Sequence, residues 1–408
     1  MDYYLTILIR IAFIDFISYN TLLFSALKDV NLNLIKRCLV ITFLAWSGLA
    51  LGADVSLKDK IGQMLIIGFA GKTLTPTSPV IRAIEKHNVG GVILFDNDAR
   101  THQFDKNIEN PMQVQVLNNS LQLINKLANA THQRPNVPLL ISVDYEGGKV
   151  NRLKEDYGFP AIPSAKAMGK MQIADVNDIA RTMANTLTST GFNLDFAPVL
   201  DVDVNPENPI IGKLERSFSE QPQVVADYAQ VFSQTFLKNS IQCAYKHFPG
   251  HGSSAADSHL GFVDVTDSWH EQELIPYQRL LAQADHCGMI MTAHIINRKL
   301  DATGVPATLS HAVLTDLLRH ELKFDGVIIT DDMQMKAISA NYGLEKALTM
   351  AINAGVDMFI FGNQLVDEPQ NPGEIIAIIE SKVANGDIAE ERINEAYQHI
   401  LAFKRKLG

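Results

Sequence analysis

Short apolar runs alternate with longer amphipathic stretches from Ser56 onward, and this alternation constrains the fold more than any other feature. An apolar run of about four to eight residues is typical of a strand buried on both faces, whereas the longer stretches have helical periodicity. Strands that alternate with helices build a parallel sheet. The eight predicted strands are residues 63–69, 91–95, 139–143, 192–197, 244–248, 289–292, 326–330 and 358–361.

Eight such units predict an α/β fold in which the sheet closes on itself, the TIM (β/α)8 barrel, as a single domain over residues 54–408. An open doubly wound sheet is the alternative. That sheet usually carries a glycine-rich phosphate-binding fingerprint after an early strand, and Gly147-Gly148 after Val143 is not one. The predicted helices are residues 80–87, 112–128, 176–188, 223–237, 271–284, 312–322, 344–354 and 373–406, the last with a break near Gly386.

Residues 1–53 form an N-terminal apolar extension whose composition differs from the rest of the chain. Its segment 4–24 is apolar but contains Arg10 and Asp15, and buried charges make it a poor membrane span. The extension is therefore expected to lie outside the barrel and to have a separate role.

A better targeting signal follows within the same extension. Lys36 and Arg37 precede the apolar run 38–51, and small residues up to Ala53 follow it, which is the pattern of a secretory signal peptide over about residues 34–53. We expect export to the periplasm or the medium, and the distance of this signal from the first residue favours a misassigned start codon. A membrane anchor made of both apolar runs, or a cytoplasmic protein, is the alternative.

The charge of the chain argues against a nucleic-acid partner. The formal net charge is -10, and the longest basic run is the short Lys404-Arg405-Lys406 segment. A nucleic-acid surface needs a basic stripe, so we expect a small or neutral ligand. We also expect a monomeric protein.

Two cysteines remain if the signal peptide, with Cys38, is removed. Cys243 and Cys287 both lie near the starts of predicted strands, where they could be neighbours at the bottom of the sheet. We expect buried free thiols, with a disulfide bond as the alternative, and the spacing has no metal-site signature.

Polar side chains cluster at the predicted carboxyl ends of five strands, which meet at one end of a barrel. An aspartate there can also cap a following helix, but this is less convincing for Asp331, which follows the apolar residues of its strand directly. The polar residues are Asp144, Glu146 and Arg152, then Asp195, Asp201 and Asp203, then Lys246 and His247, then His294, and finally Asp331 and Asp332.

The densest group of titratable residues lies between Lys246 and His259. Pro249 has no amide hydrogen and ends the strand, and the glycines that follow allow a loop. Histidine titrates nearest neutral pH, and Asp257 can accept a ring N–H of His259 and raise its basicity. A polar surface loop is the alternative, although three histidines and an aspartate favour an active-site loop.

A strand-end carboxylate facing a mobile acid/base residue suits cleavage of a glycosidic bond. One carboxylate attacks the anomeric carbon, while a second group protonates the leaving oxygen and later deprotonates water. Carboxylates and cations together are the usual polar lining of a saccharide pocket. The residues expected to bind sugar hydroxyls are Asp144, Arg152, Arg216, Lys246 and His247.

The sequence resembles family 3 glycoside hydrolases of the β-N-acetylglucosaminidase type over about residues 56–408. The resemblance rests on five blocks that occur in the order typical of the family, so the match is specific. The blocks are Asp144-Tyr145-Glu146-Gly147-Gly148 with Val150 and Arg152, Phe196-Ala197-Pro198-Val199-Leu200-Asp201-Val202, Arg216-Ser217-Phe218, Lys246-His247-Phe248-Pro249-Gly250-His251-Gly252 with Asp257-Ser258-His259, and Thr330-Asp331-Asp332-Met333 with Met335.

The resemblance implies a role for each candidate residue. Asp331 would be the nucleophile and His259 the acid/base, assisted by Asp257, in a two-step reaction that retains configuration. Asp144, Arg152, Arg216, Lys246 and His247 would hold an N-acetylglucosamine ring, and neither a metal nor an organic cofactor is expected. The family's β-glucosidases lack this loop histidine and use a glutamate of a second domain, which we do not expect here.

Three other functions stay open at this point. A phosphorylase would accept phosphate in place of water, a β-glucosidase would lack the N-acetyl preference, and a catalytically inactive barrel would only bind cell-wall sugar. Many single-barrel relatives lack a signal and recycle muropeptides in the cytoplasm. If this chain is exported, the expected substrates are peptidoglycan fragments or chitin oligosaccharides.

Overall fold

Eight parallel strands close into a barrel in the computed structural model of the chain. Each strand pairs with the next one along the sequence, and the last pairs with the first. This is the predicted (β/α)8 barrel, and the open-sheet alternative is wrong. The strands are β1 (Leu65–Gly68), β2 (Gly91–Ile93), β3 (Leu140–Val143), β4 (Leu194–Asp195), β5 (Gln242–Phe248), β6 (Met289–Thr292), β7 (Val327–Asp332) and β8 (Met358–Phe361).

The structure describes residues 55–98, 106–366 and 368–407. The predicted extension 1–53, its signal peptide 34–53 and Cys38 lie outside the described residues and stay predictions. None of the helices in the described part of the chain is long and apolar enough to cross a membrane.

Helices surround the barrel and connect its strands. The predicted break near Gly386 is confirmed, because two helices flank it, but the predicted helix 271–284 is divided into a 3-10 turn (Glu271–Leu274) and an α-helix. Pro276 explains the division, since proline fits only the first turn of an α-helix. The α-helices are Leu57–Gln63, Pro79–His87, Pro111–Thr131, Ala165–Met168, Ile173–Ser189, Pro222–Lys238, Ile275–Leu281, Lys336–Ser339, Leu344–Ala354, Pro372–Ala384 and Glu390–Arg405, and Ala312–Glu321 is a π-helix.

The core lies inside the barrel and between the barrel and its helices. Every residue of β1, β2, β3, β5, β6 and β8 is buried, as expected for parallel strands that helices cover on one face. Two small sheets that the sequence did not predict decorate the carboxyl ends. Tyr145–Gly147 pairs antiparallel with Val150–Asn151, and Val263–Asp264 pairs parallel with Ile295–Ile296.

Cys243 and Cys287 form a disulfide bond, so the expectation of free thiols is wrong. The cause is the register of two neighbouring strands. Ala244 of β5 lies beside Met289 of β6, and this register brings the two cysteines to a Cα–Cα distance of 5.0 Å. That distance lies within the range that a disulfide bond spans.

Candidate active site

A cleft of about 330 Å³ opens at the carboxyl ends of the barrel strands. Its floor is formed by strand ends, and one wall is the loop that follows β5. Seven of the eight residues predicted for the site line it: Asp144, Arg152, Arg216, Lys246, His247, His259 and Asp331. The eighth, Asp257, contacts the ring of His259.

The floor of the cleft contains a buried ion network centred on Glu146. Lys246 is only 2% exposed, and its Nζ lies 2.8 Å from Asp144 Oδ1 and 2.6 Å from Glu146 Oε1. Arg216 donates from Nε and Nη2 to the two oxygens of Glu146, each over 2.7 Å. Burial acts to raise the pKa of Glu146, but the charges of Arg216 and Lys246 lower it to about 2. Glu146 therefore stays ionised and fixes both cations beneath the cleft.

Arg152 belongs to a second ion cluster at the end of β2. Its Nη1 lies 3.7 Å from Oδ1 of Asp96, which is fully buried, and Lys154 Nζ lies 2.5 Å from Oδ2 of the same carboxylate. The guanidinium also lies 5.6 Å from the ring centre of Phe95. Asp96 and Phe95 therefore hold Arg152 where it lines the cleft.

The ring of His247 is oriented by Asp201. His247 Nδ1 lies 2.6 Å from Asp201 Oδ2, and Arg216 Nη2 lies 3.3 Å from His247 Nε2. A guanidinium can only donate, so Nε2 accepts from Arg216 and Nδ1 donates to Asp201. Burial acts to raise the pKa of Asp201, but His247 lowers it overall. The position of the ring is thus fixed from both sides.

Asp331 lies near the end of β7, among three histidines. Burial alone would raise the pKa of its carboxyl, but the neighbouring His247, His294 and His259 lower it to about 2. Its Oδ1 also accepts a hydrogen bond from the Asp332 amide over 2.8 Å. Asp331 is therefore an anion throughout the neutral pH range.

The adjacent Asp332 has the opposite electrostatic environment. Burial raises the pKa of Asp332 to about 7, and the negative charge of Asp331 acts in the same direction. Its Oδ1 accepts the amide hydrogen of Gln334 over 3.0 Å. Two neighbouring carboxyl groups thus titrate far apart, and Asp331 is the one that is fully ionised at neutral pH.

His294 supports this strand end without lining the cleft. Its Nε2 donates to the carbonyl of Asp332 over 3.1 Å, and its Nδ1 lies 2.8 Å from Thr308 Oγ1. Burial lowers the pKa of His294, so the ring is neutral at neutral pH. The strand-end histidine noted in the sequence therefore braces the segment that carries Asp331.

The loop after β5 carries an aspartate–histidine pair to the mouth of the cleft. Asp257 Oδ1 accepts from both Nδ1 and the backbone amide of His259, over 2.7 and 2.8 Å. The side chain of His259 is 46% exposed. Partial burial acts to lower its pKa, but the hydrogen bond to Asp257 and the charge of Asp331 raise it. Nδ1 of His259 is thus engaged by Asp257, and its Nε2 faces the mouth of the cleft without a hydrogen bond from the described residues.

Backbone contacts hold this loop against the strand that carries Asp331. The amides of Lys336 and Ala337, which follow β7, donate to the carbonyls of His259 and Ser258 over 3.4 and 3.3 Å. A substitution at Gly252 would place Cβ 1.7 Å from the carbonyl oxygen of Val202. Only glycine permits this close approach of two backbone segments.

His251 is a buried support beneath the same loop. Its amide donates to Asp201 Oδ1 over 2.7 Å, and its Nε2 lies 3.2 Å from Ser258 Oγ. Burial lowers the pKa of His251 to about 4, so this ring is neutral. It therefore connects the floor of the cleft to the residue that precedes His259.

The remaining strand-end carboxylates have structural contacts. Buried Asp195 accepts the Tyr145 amide over 3.0 Å, and burial raises its pKa well above the ordinary value. Asp203 pairs with Lys166 over 3.1 Å. In the part of the chain that the structure describes, no cluster of three or more histidine, cysteine or acidic residues is arranged to hold a metal ion.

The sequence matches the family described as Glycosyl hydrolase family 3 N terminal domain over residues 56–403. The chain belongs to glycosyl hydrolase family 3. This finding confirms the resemblance found in the sequence, and it makes the chain a glycoside hydrolase by family.

Characterised relatives and solved structures agree with this membership. The chain is 32% identical over 393 residues to beta-hexosaminidase A of Pseudoalteromonas piscicida, covering 88% of this chain and 63% of that protein. It is 33% identical over 307 residues to a beta-hexosaminidase of Idiomarina loihiensis, covering 73% of this chain and 83% of that protein. The chain thus spans less than two thirds of the Pseudoalteromonas protein but most of the Idiomarina protein.

Two solved structures show the same barrel. A family 3 beta-N-acetylglucosaminidase from Paenibacillus sp. str. FPU-7 superposes with a TM-score of 0.77 at 32% identity, over 86% of this chain and 63% of that one. A beta-N-acetylhexosaminidase from Beutenbergia cavernae DSM 12333 superposes with a TM-score of 0.75 at 27% identity, over 86% of this chain and 99% of that one.

Several residues of this family 3 site were not singled out from the sequence. Glu146 was noted only as one of several polar residues at strand ends, and Asp96 was overlooked although it directly follows the predicted strand 91–95. The roles of Asp201 and His251 depend on contacts across the barrel. A search for every acidic residue just after a predicted strand would have found Asp96, whereas no local pattern reveals the partners of His251.

Proposed function

We propose that the chain is a retaining exo-β-N-acetylglucosaminidase that removes terminal, non-reducing, β-linked N-acetylglucosamine. One observation carries the proposal: ionised Asp331 and the Asp257–His259 pair line or border the same cleft, above a fixed network of sugar-binding side chains. The names of the relatives, all hexosaminidases or N-acetylglucosaminidases, support the substrate class.

In the first step, an oxygen of Asp331 attacks the anomeric carbon while the bond to the leaving oxygen breaks. The low pKa of Asp331 keeps it deprotonated for this attack. His259 gives the Nε2 proton to the leaving oxygen, because its Nδ1 is engaged by Asp257. The product is a covalent glycosyl-Asp331 and a neutral alcohol on the leaving group.

In the second step, water replaces the leaving group. Neutral His259 takes a proton from water through Nε2, the hydroxyl oxygen bonds to the anomeric carbon, and the carboxylate of Asp331 departs. Two inversions at the same carbon retain its configuration. The anion of Asp257 stabilises the imidazolium that forms, without placing a second carboxylate against the nucleophile.

The floor of the cleft binds the sugar ring. Lys246 and Arg216 provide donors for hydroxyl oxygens, Asp144 provides acceptors for hydroxyl hydrogens, and His247 and Arg152 line the same space. Because Glu146 and Asp201 fix these groups before substrate arrives, little conformational entropy is lost on binding.

The natural substrates we propose are peptidoglycan fragments or chitin oligosaccharides, met by an exported monomer. The Cys243–Cys287 disulfide supports export, since such bonds persist in oxidising compartments such as the periplasm and are rare in the cytosol. Cell fractionation, with alkylation of free thiols before and after reduction, tests this location. A protein recovered in the cytosol with both thiols reduced would contradict it.

The test of the activity is release of p-nitrophenol from p-nitrophenyl N-acetyl-β-glucosaminide by the full chain. Asp331→Ala is expected to lower kcat at least about a thousandfold, and His259→Ala is expected to lower it about a hundredfold. The matched control is His320→Ala, because this ring is 71% exposed and does not line the cleft. A folded wild-type protein without activity would sink the proposal.

A phosphorylase is the second candidate, and one observation favours it. The proposed acid/base is a histidine and not a carboxylate, so phosphate does not meet an anionic acid/base residue as it approaches the anomeric carbon. The same assay with inorganic phosphate separates the two reactions. N-acetylglucosamine as the product supports hydrolysis, and N-acetylglucosamine 1-phosphate supports phosphorolysis.

A further inference from the structure

Exposed apolar side chains follow the acid/base residue in the loop after β5. Leu260 is 73% exposed and Phe262 is 49% exposed. The Phe262 ring packs edge-on against Tyr342, with ring centres 6.2 Å apart and an interplanar angle of 85°. We call Leu260, Phe262 and Tyr342 the edge strip.

Single exposed apolar residues are common on protein surfaces, so exposure alone means little. The edge strip differs from the others by its position. Leu260 directly follows His259, and Phe262 is the third residue after His259. The Cα atoms of His259 and Phe262 are therefore at most about 11 Å apart. The segment is also fixed to the β7 side of the cleft through the contact of Lys336 with His259.

The chemistry of the proposed reaction places the leaving group here. The residue that protonates the leaving oxygen must lie within a hydrogen bond of it, so the leaving group extends outward beside His259. Leu260 and Phe262 follow His259 in the chain and are exposed, so they are within reach of a leaving group on that side. A ligand that covers these side chains removes apolar surface from water, which favours binding.

A saccharide fits the composition of the edge strip. The ring C–H groups of a β-linked sugar form an apolar face that matches an aromatic ring, whose π face carries partial negative charge. Tyr342 also borders a groove of about 550 Å³ that contains Lys346, and Lys346 Nζ lies 5.6 Å from the centre of the Tyr342 ring. Tyr342 therefore connects Phe262 to this groove.

We propose that the edge strip binds the leaving-group saccharide, with Phe262 as its principal contact. This inference rests on the proposed function and adds the determinant of preference for long over short substrates. Phe262 is a specificity residue in this account and takes no part in proton transfer.

The test compares two substrates that share the transferred sugar and differ in the leaving group. N,N′,N″-triacetylchitotriose has a disaccharide leaving group, whereas N-acetyl-β-glucosaminyl fluoride leaves only fluoride. The quantity to measure is kcat/KM, because it reports the first irreversible step, in which the leaving group is still bound. The variants are Phe262→Ala, the ring-preserving Phe262→Tyr, and Leu123→Ala, a control on a distant helix whose side chain is 57% exposed.

Phe262→Ala is expected to lower kcat/KM for the trisaccharide about three- to tenfold and to leave the fluoride unchanged, while Phe262→Tyr and Leu123→Ala resemble wild type. Equal losses on both substrates would overturn the inference, since they would show a disturbed His259 loop. If wild type is active and Phe262→Ala loses no activity on either substrate, the edge strip is rejected and the proposed function is not affected. A wild-type protein inactive on both substrates contradicts the proposed function, and the edge strip is rejected with it.

Discussion

The floor of the cleft and the loop beside it contain the same kinds of charged residue, but the charged groups are buried in the floor and partly exposed in the loop. In the floor, Lys246 and Arg216 are buried against Glu146 and cannot move without leaving a charge unpaired. In the loop, the Asp257–His259 pair is partly exposed and is held by two hydrogen bonds within three residues. In the proposed reaction, the buried network is a rigid template for the sugar ring, and the exposed pair is a proton donor that can change position.

The contrast predicts how much stability each region contributes. Removing one partner of a buried ion pair costs about 3–5 kcal/mol, whereas an exposed pair contributes at most about 1 kcal/mol. Substitutions in the floor should therefore lower the stability, whereas substitutions in the loop should lower the activity.

The largest expected effect is that of Glu146→Ala in the floor. The change leaves Lys246 and Arg216 buried without their shared carboxylate, so the free energy of unfolding should fall by about 3–5 kcal/mol in urea denaturation. The control is Asp227→Ala, which breaks the exposed pair with Arg279 and should cost less than about 1 kcal/mol. Equal losses for the two variants would remove the distinction between floor and surface.

The pH dependence of the unfolding free energy tests the role of the same residue. The folded-state pKa of Glu146 is about 2, below its ordinary value of 4.5, so its stabilising effect is full above pH 4.5. The effect should disappear as the pH falls from 4.5 towards 2. The difference in unfolding free energy between wild type and Glu146→Gln should narrow over that window, and a constant difference would contradict the assigned pKa.

An intermediate effect is expected for Asp257→Asn in the loop. The hydrogen bond from His259 and the charge of Asp257 raise the pKa of His259, so the substitution should lower that pKa. His259 must be protonated to act as the acid, and the basic limb of the kcat/KM profile should move to lower pH. We expect kcat/KM to fall about 10- to 100-fold at neutral pH with little change in unfolding free energy. An unchanged basic limb would show that Asp257 does not tune His259.

A further effect on stability is expected below the loop, at Glu273. This buried carboxyl accepts the Gly252 amide over 3.1 Å, and burial raises its pKa from 4.5 to about 7. A carboxyl with a raised folded-state pKa favours the folded state at low pH, and that advantage is lost between pH 4.5 and 7. Wild type should lose about 3 kcal/mol relative to Glu273→Gln across this window, measured by urea denaturation at each pH. A parallel pH course for the two proteins would contradict this assignment.

The barrel could be predicted from the sequence because each of its strands is recognised from residues that are adjacent in the chain. Each strand of the barrel is a short apolar run, and all eight predicted strands overlap those observed. Asp331 and Lys246 were placed at strand ends by the same reasoning, since the carboxyl ends of barrel strands converge. Asp257 and His259 were recognised as a pair because they lie two residues apart.

What the sequence did not predict depends on distance across the fold. The Cys243–Cys287 bond follows from the register between β5 and β6, which no single strand specifies. Glu146 gains its importance from Arg216, 70 residues away, and Arg152 is held by Asp96. The raised pKa of Asp332 beside the lowered pKa of Asp331 arises from burial and three histidines of other strands and loops, which a sequence pattern does not reveal.

The central claim is that Asp331 becomes covalently bonded to the sugar. The most direct measurement is the mass of the full chain after reaction with 5-fluoro-N-acetylglucosaminyl fluoride, followed by proteolysis and sequencing of the modified peptide. The account predicts an added mass of one fluorinated N-acetylglucosaminyl group on Asp331, absent from a correctly folded Asp331→Ala variant. An active enzyme that forms no adduct, or carries the adduct on another residue, would contradict it.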